Sequence, residues 1–367
     1  MGRKHMKRIG ICLCIIIFVS LACGGMGSLA GFSTPTGQPS FIPAASLTPT
    51  EYTYPTPTWT PTATLTPTLE PAPTATLPPF GGLARGYLEG LSNGIGRRVD
   101  DTESATRAVD YIRNQFSTMG YSPEVQPFTY QNDDGTTAHS ANVIAVKKGL
   151  SDKQVIVGAH YDSVDVGRGA DDNASGVAIL LEAAQRVRTV DTPYTIIFIT
   201  FGAEEVDILG SQYYVSQMRK DEIANTVYMV NLDSLISGNK TYAYGTVGKK
   251  GKVRDWALKD AKSLGLDLLD EPNFNPDDPN DSSDDDSDHG SFRAVGIQFI
   301  YFESTDWTLG DGDGWTQVNT QYGEDGEIWH TKYDQIAYLD ITFPGRIDAH
   351  LNLYSTILYD ILTRYQE

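Results

Sequence analysis

Gln154-Val155-Ile156-Val157-Gly158-Ala159-His160-Tyr161-Asp162-Ser163 is the stretch that decides the fold. Val155 to Ala159 is apolar or small throughout, with no alternation, and polar groups follow at once. A short run of this kind, rich in β-branched residues, reads as a strand buried on both faces. Such strands belong to parallel sheets covered by helices. Ligands in those folds gather beyond the carboxyl ends of the strands. His160, Tyr161 and Asp162 therefore stand where chemistry is expected.

The same arrangement recurs along the chain. Glu204 and Glu205 come just after an apolar strand over 194–201, and Asp233 just after one over 227–232. Glu303 follows a strand over 297–302, and a further strand is expected over 142–146. Helical spacing marks 101–119, where Ala105, Val109, Ile112 and Phe116 recur on one face. It also marks 173–187, 209–218, 253–263 and 346–365. Strands alternating with helices predict an α/β fold: a mixed, mostly parallel central sheet with helices on both faces, in a single catalytic domain.

That domain is expected over 80–367. Ahead of it, residues 1–23 carry Arg3, Lys4, Lys7 and Arg8, then an apolar run from Ile9 through Ala22. This is the pattern of a signal peptide. Ser20-Leu21-Ala22-Cys23-Gly24 resembles a bacterial lipobox, with Ser20 where Leu is usual, so Cys23 is the expected lipidation site. Ordinary cleavage nearby, or an uncleaved anchor, are the alternatives. All three export the domain, and the lipidated form would be a cell-surface lipoprotein held to a membrane. Residues 24–79 are rich in Pro and Thr and read as a disordered, extended spacer.

Charge and cysteines narrow the chemistry. The chain has 367 residues and a formal net charge of -19, which repels phosphate backbones and speaks against a nucleic-acid partner. Its three cysteines, Cys12, Cys14 and Cys23, all precede the spacer. The domain thus has neither disulfides nor thiolate ligands, and a metal site there must use His, Asp and Glu. Carboxylates converging from several strand ends repel one another unless cations neutralise them. Imidazoles among those carboxylates favour zinc over magnesium or calcium.

Five further pieces accompany the opening stretch in order. They are Gly169-Ala170-Asp171-Asp172-Asn173-Ala174-Ser175-Gly176, Ala203-Glu204-Glu205 followed by Leu209-Gly210-Ser211, and Asn231-Leu232-Asp233. Ser287-Asp288-His289-Gly290-Ser291-Phe292 and Trp329-His330-Thr331 complete the set. From about Gly90 onward this ordered set resembles the bacterial leucyl aminopeptidase family of zinc exopeptidases. The resemblance implies a two-zinc aminopeptidase that uses a metal-activated water on peptides with a free N-terminus. It assigns His160, Asp172 and Asp233 to one zinc and Asp172, Glu205 and His330 to the other, with Asp172 bridging. It makes Glu204 the general base and leaves Asp162 to orient the His160 ring from behind.

Plainer roles stand beside these. Either histidine alone could be a hydrogen-bonded structural residue. Asp171 and Asn173 could be turn or cap residues, and Asn173 suits a helix N-cap. Glu204 and Glu205 could form a solvated pair. His289 could line a substrate pocket or make a fold contact, and Glu303 could bind the substrate amine or cap a loop.

The sequence also departs from relatives that carry an aromatic hydroxyl just before the Ser-Asp-His motif. An acidic run, Asp277 to Asp286, stands there instead. It reads as a solvated loop, as a pocket wall favouring a basic N-terminal residue, or as a calcium loop. Asp306, Asp311 and Asp313 form a second weak calcium candidate. Two other functions fit parts of the pattern: a one-zinc glutaminyl cyclase, and a catalytically inactive surface binding module. A carboxypeptidase-type specificity is also compatible with the motifs. Oligomeric state is not legible.

Overall fold

Apolar runs of the kind quoted above form the middle of an eight-stranded sheet in the computed structural model, which describes residues 77–246, 251–270, 286–312 and 314–367. The head with Cys23, the Pro/Thr-rich segment to 76, the acidic run to 285 and Asp313 lie outside the described residues. The strands are β1 (Glu124–Gln131), β2 (Thr137–Lys147), β3 (Ser151–His160) and β4 (Tyr194–Phe201). The rest are β5 (Thr226–Leu232), β6 (Lys240–Gly245), β7 (Leu268–Asp270) and β8 (Phe299–Thr305). Their spatial order is β1-β2-β4-β3-β5-β8-β6-β7. β4, β3, β5 and β8 run parallel, while β1, β2 and β6 join antiparallel neighbours. The sheet is mixed and mostly parallel at its centre.

Side chains alternate between the two faces, as the pleat requires. Val155, Val157, Phe198, Val230, Ile300 and Phe302 enter the larger core. Ile156, Ile197, Ile199, Met229, Phe299 and Tyr301 enter a smaller one on the other face. The larger core is covered by α1 (Gly82–Leu88), α2 (Glu103–Thr118), α3 (Gly176–Val187), α6 (Lys252–Leu264) and α9 (Arg346–Arg364). α4 (Leu209–Gln217), α5 (Lys220–Asn225) and α7 (His289–Ala294) bring residues to the smaller one. α8 (Ile336–Thr342) packs beside α9. In α2, Thr102 accepts the N–H of Ala105 and caps the helix, and Ala105, Ala108, Ile112 and Phe116 are its buried stripe. Among the described residues no helix is long and apolar enough to cross a membrane.

Two expected boundaries shift. The helix expected from 173 starts at Gly176, because Ala170–Ser175 is an irregular turn with Asp172 and Asn173 outside helical geometry. Asn173 still serves that helix, accepting the N–H of Gly176 at 2.9 Å while donating to the carbonyl of Leu232. Gly176 is obligatory on contact grounds: a Cβ there would sit 2.3 Å from the Leu232 carbonyl oxygen. The start of α3 thus lies directly against the end of β5. Glu303, in turn, lies inside β8 and not after it, because β8 continues to Thr305 in register with Lys240 of β6.

The start of the described chain is latched. Glu182 of α3 is fully buried and accepts the N–H groups of Gly81 and Ala84, capping α1. Arg186, one turn on, pairs with Glu182 at 2.6 Å. It also donates to the carbonyls of Pro78 and Pro79 and lies 4.2 Å over the Phe80 ring.

Candidate metal centre

The carboxyl end of β3 delivers His160, fully buried, to the rim of the sheet. The end of β5 delivers Asp233, and the turn before α3 delivers Asp172. Glu204 and Glu205 come from the turn after β4, and His330 from the loop before α8. His160 Nε2 lies 3.1 Å from Asp172 Oδ1, 3.3 Å from Asp233 Oδ1 and 3.8 Å from Glu204 Oε2. His330 Nε2 lies 3.0 Å from Asp172 Oδ2 and 3.0 Å from Glu205 Oε2. Asp172 therefore gives one carboxylate oxygen to each imidazole.

These spacings match the chemistry of a divalent ion. Ligand atoms about 2.0–2.1 Å from a tetrahedral zinc stand about 3.3 Å apart. Two groups could hold an ion with all donor atoms within 4.8 Å of one another: His160, Glu204 and Asp233, and His160, Asp172 and Glu205. The first group includes Glu204, which sequence reasoning assigned to proton transfer. All donors are nitrogen or carboxylate oxygen; His160, Asp172 and Asp233 are buried, Glu204 and Glu205 are half-buried, and His330 is exposed. The arrangement fits zinc.

The electrostatics state the same demand. Burial would pull His160 down, but the charges of Glu204 and Asp233 outweigh it and hold the ring well above its ordinary range. Hydrogen bonds to Asp172 and Glu205 push His330 up to about 11. Burial works to raise Asp172, yet its bonds to both imidazoles hold it below the usual carboxylate range. Burial raises Glu205 to about 7, helped by Asp172. Burial likewise drives Glu204 well up, reinforced by Asp233, Asp288 and Glu205. Carboxylates outnumber cations, which favours the charged form of both rings; divalent ions would meet the same demand with neutral rings.

Behind this layer, Asp162 is fully buried and stands 3.5 Å from His160 Nδ1. It also accepts the N–H groups of Glu204 and Glu205, so one carboxylate registers β3 against the following glutamate turn. Ala203 and His330 sit at φ 55° and 53°, a left-handed conformation non-glycine residues seldom adopt. Strained backbone on both sides of the cluster is common at working sites.

Other sequence-derived candidates fall elsewhere. His289 is buried, stacked on Tyr301 at 4.7 Å and packed against Phe299 at 4.6 Å. Glu303 accepts from the Tyr244 hydroxyl, and burial raises it to about 8. Asp306 receives Lys240 Nζ at 2.7 Å, so its charge is met by an ammonium and not left for calcium.

Sequence reasoning missed four supports. Asp334 accepts the backbone N–H groups of both Asp171 and Asp172. Asp171 accepts those of Ile236 and Ser237, holding the loop beyond Asp233. Gln317 donates to Asp171 and accepts the N–H groups of Ile328 and Trp329, tying the His330 loop to the Asp172 turn. Asp288, fully buried, faces Glu204 and Asp233 electrostatically; burial pushes it to about 7. Only Asp171 and Asp288 lay inside quoted motifs; Gln317 and Asp334 had no local signal.

The pattern that defines peptidase family M28 matches residues 142–354, more than half of the chain. The chain belongs to peptidase family M28. The M28 domain holds the rim residues just described, and with the two ligand groups it makes the chain a zinc-dependent hydrolase. The chain is 32% identical over 279 residues to the alkaline phosphatase isozyme conversion protein of Escherichia coli, covering 68% of this chain and 81% of that protein. It is 31% identical over 212 residues to aminopeptidase YwaD of Bacillus subtilis, covering 56% of this chain but only 41% of YwaD. In three dimensions it is similar to a zinc aminopeptidase of Bacillus subtilis, with TM-score 0.63, 19% identity and coverage of 80% and 97% of the two chains. It is also similar to a glutaminyl cyclase of Porphyromonas gingivalis, with TM-score 0.59, 21% identity and coverage of 76% and 98%. At such identities these two likenesses concern the fold alone.

Proposed function

We propose that this M28 hydrolase is a two-zinc aminopeptidase acting outside the cell. The observation that carries the reading is the division of Asp172, one oxygen 3.1 Å from His160 and the other 3.0 Å from His330. A carboxylate so shared is what a bridge between two ions requires. His160, Asp172 and Asp233 would hold one zinc, and Asp172, Glu205 and His330 the other. Bound there, zinc supplies Lewis acidity to the scissile carbonyl and to the attacking water.

The chain's residues do the rest. Glu204 takes a proton at its carboxylate from the water and returns it to the leaving amine. Asp162 orients His160 from behind while fixing the backbone of Glu204 itself. Residues 80–367 act as the catalytic domain, 24–79 as a spacer, and 1–23 as the export signal, with Cys23 the lipid anchor.

The test counts zinc in the protein and measures hydrolysis of free-amine and N-blocked aminoacyl substrates, with and without chelator. About two zinc ions with chelator-sensitive cleavage of only the free-amine substrates is the expected result. One zinc with cyclisation of N-terminal glutamine would make it a cyclase instead. Neither metal nor turnover would leave a surface binding module.

A further inference from the structure

Arg98 precedes the family-matched region and is fully buried. It forms no ion pair among the described residues, although a buried cation ordinarily needs an anion against it. Its guanidinium is spent on carbonyls. Nε donates to Tyr161 O at 2.6 Å, Nη1 to Gly96 O at 2.9 Å and Arg168 O at 3.0 Å, and Nη2 to Gly169 O at 2.8 Å. Its own backbone N–H goes to Ser163 Oγ at 3.0 Å.

Those carbonyls belong to the two segments that must keep register for the centre to exist. Tyr161 directly follows His160, and Gly169 opens the turn that carries Asp172. The planar fork reaches both at once, which a flexible single-point cation cannot do. The fit is tight: a Cβ on Gly169, which sits at φ 56°, would meet Arg98 Nη2 at 2.6 Å and the Asp172 carbonyl oxygen at 2.7 Å. Asp334, Asp162, Asp172 and Glu205 are the carboxylates whose charge acts on it most.

We propose that Arg98 is a positioning residue for the His160–Asp172–Asp233 half of the metal centre, acting as a clamp on the backbone carbonyls beside His160 and ahead of Asp172. The proposal rests on the two-zinc reading above. The shape of the clamp, not its charge alone, sets how well that half binds its ion.

The experiment uses the full chain and two variants, Arg98→Met and Arg98→Lys. Zinc affinity of each site is read by competition with a chromophoric chelator, thermal unfolding by calorimetry, and kcat and KM separately. Arg98→Met is expected to weaken one site by roughly tenfold or more and to leave the other within about threefold. kcat should fall with little change in KM, and lysine should restore less than half of the loss on a logarithmic scale. Two sites that weaken equally, in step with a lower melting temperature, would reduce Arg98 to a general fold residue and overturn the proposal. Unchanged affinities, or full rescue by lysine, would overturn it too. If Arg98→Met does not fold, Ser163→Ala decides: the same site-selective weakening, smaller in size, is expected, and its absence ends the idea. Wild-type protein that holds fewer than two zinc ions would defeat the functional reading; normal wild-type binding with indifferent variants would defeat only the clamp.

Discussion

Two buried acidic sites in this protein have opposite characters. Glu182 is wholly enclosed, yet the chain itself supplies everything it needs: two backbone N–H groups, the Ser355 hydroxyl and the Arg186 guanidinium. At the rim, Asp172, Glu204, Glu205 and Asp233 face one another with two imidazoles as their cationic partners among the described residues, while Ser287 donates to Asp233 and the Val164 N–H to Glu205. The first site is complete as built. The second has more negative charge than the polypeptide balances, and that imbalance is the mark of a cation site. Burial of carboxylates is therefore not the signal; the balance of opposite charges is.

The largest effect expected from this contrast is on metal removal. A chelator should abolish turnover and lower the unfolding temperature, with a stability loss of about 2.7 kcal/mol if zinc was present at a hundred times its Kd. A melting curve indifferent to chelator would erase the distinction between the sites. Next in size, Glu204→Gln should reduce kcat by roughly 10²–10⁴-fold, read by steady-state kinetics, with zinc content unchanged. Glu182→Ala should do the reverse, costing about 3 kcal/mol of stability in denaturant unfolding while the folded fraction keeps its kcat.

A third buried carboxylate sharpens the comparison with the smallest effect. Asp100 is met by hydroxyls, not charges, accepting from Ser140 at 2.6 Å and Tyr130 at 2.8 Å. Burial raises it from 3.8 to about 6. A carboxyl raised on folding favours the fold when protonated. Its contribution is thus complete below pH 4 and lost as pH climbs to about 6. The loss should be about 3 kcal/mol or less, and the unfolding free energy of Asp100→Asn should lack that fall between those values.

Much of this was legible in the sequence because the central strands end abruptly. An apolar run followed by His160, by Glu204 and Glu205, or by Asp233 announces both the strand and the rim. The same logic placed Glu303 wrongly, since β8 outruns its apolar core by pairing with β6. β1 was invisible for the opposite reason. It is an edge strand with one buried residue and many polar side chains, and its pairing with β2 supplies what its composition does not. Gln317 and Asp334 could not be found by pattern. Each meets a partner more than 140 positions away, and nothing adjacent to either residue marks it.

Glu182 has one more consequence, a mechanical one. Any pull on the chain ahead of Pro78 arrives first at the Arg186 bonds to Pro78 and Pro79, the Asn352 bond to Phe80 and the Glu182 bonds to Gly81 and Ala84. Contacts on both α3 and α9 are then loaded together and not one after another. Tension enters the fold through a buried ionic latch on helices α3 and α9, so a pulled chain would strain its fastening before it disturbed the turn that carries Asp172.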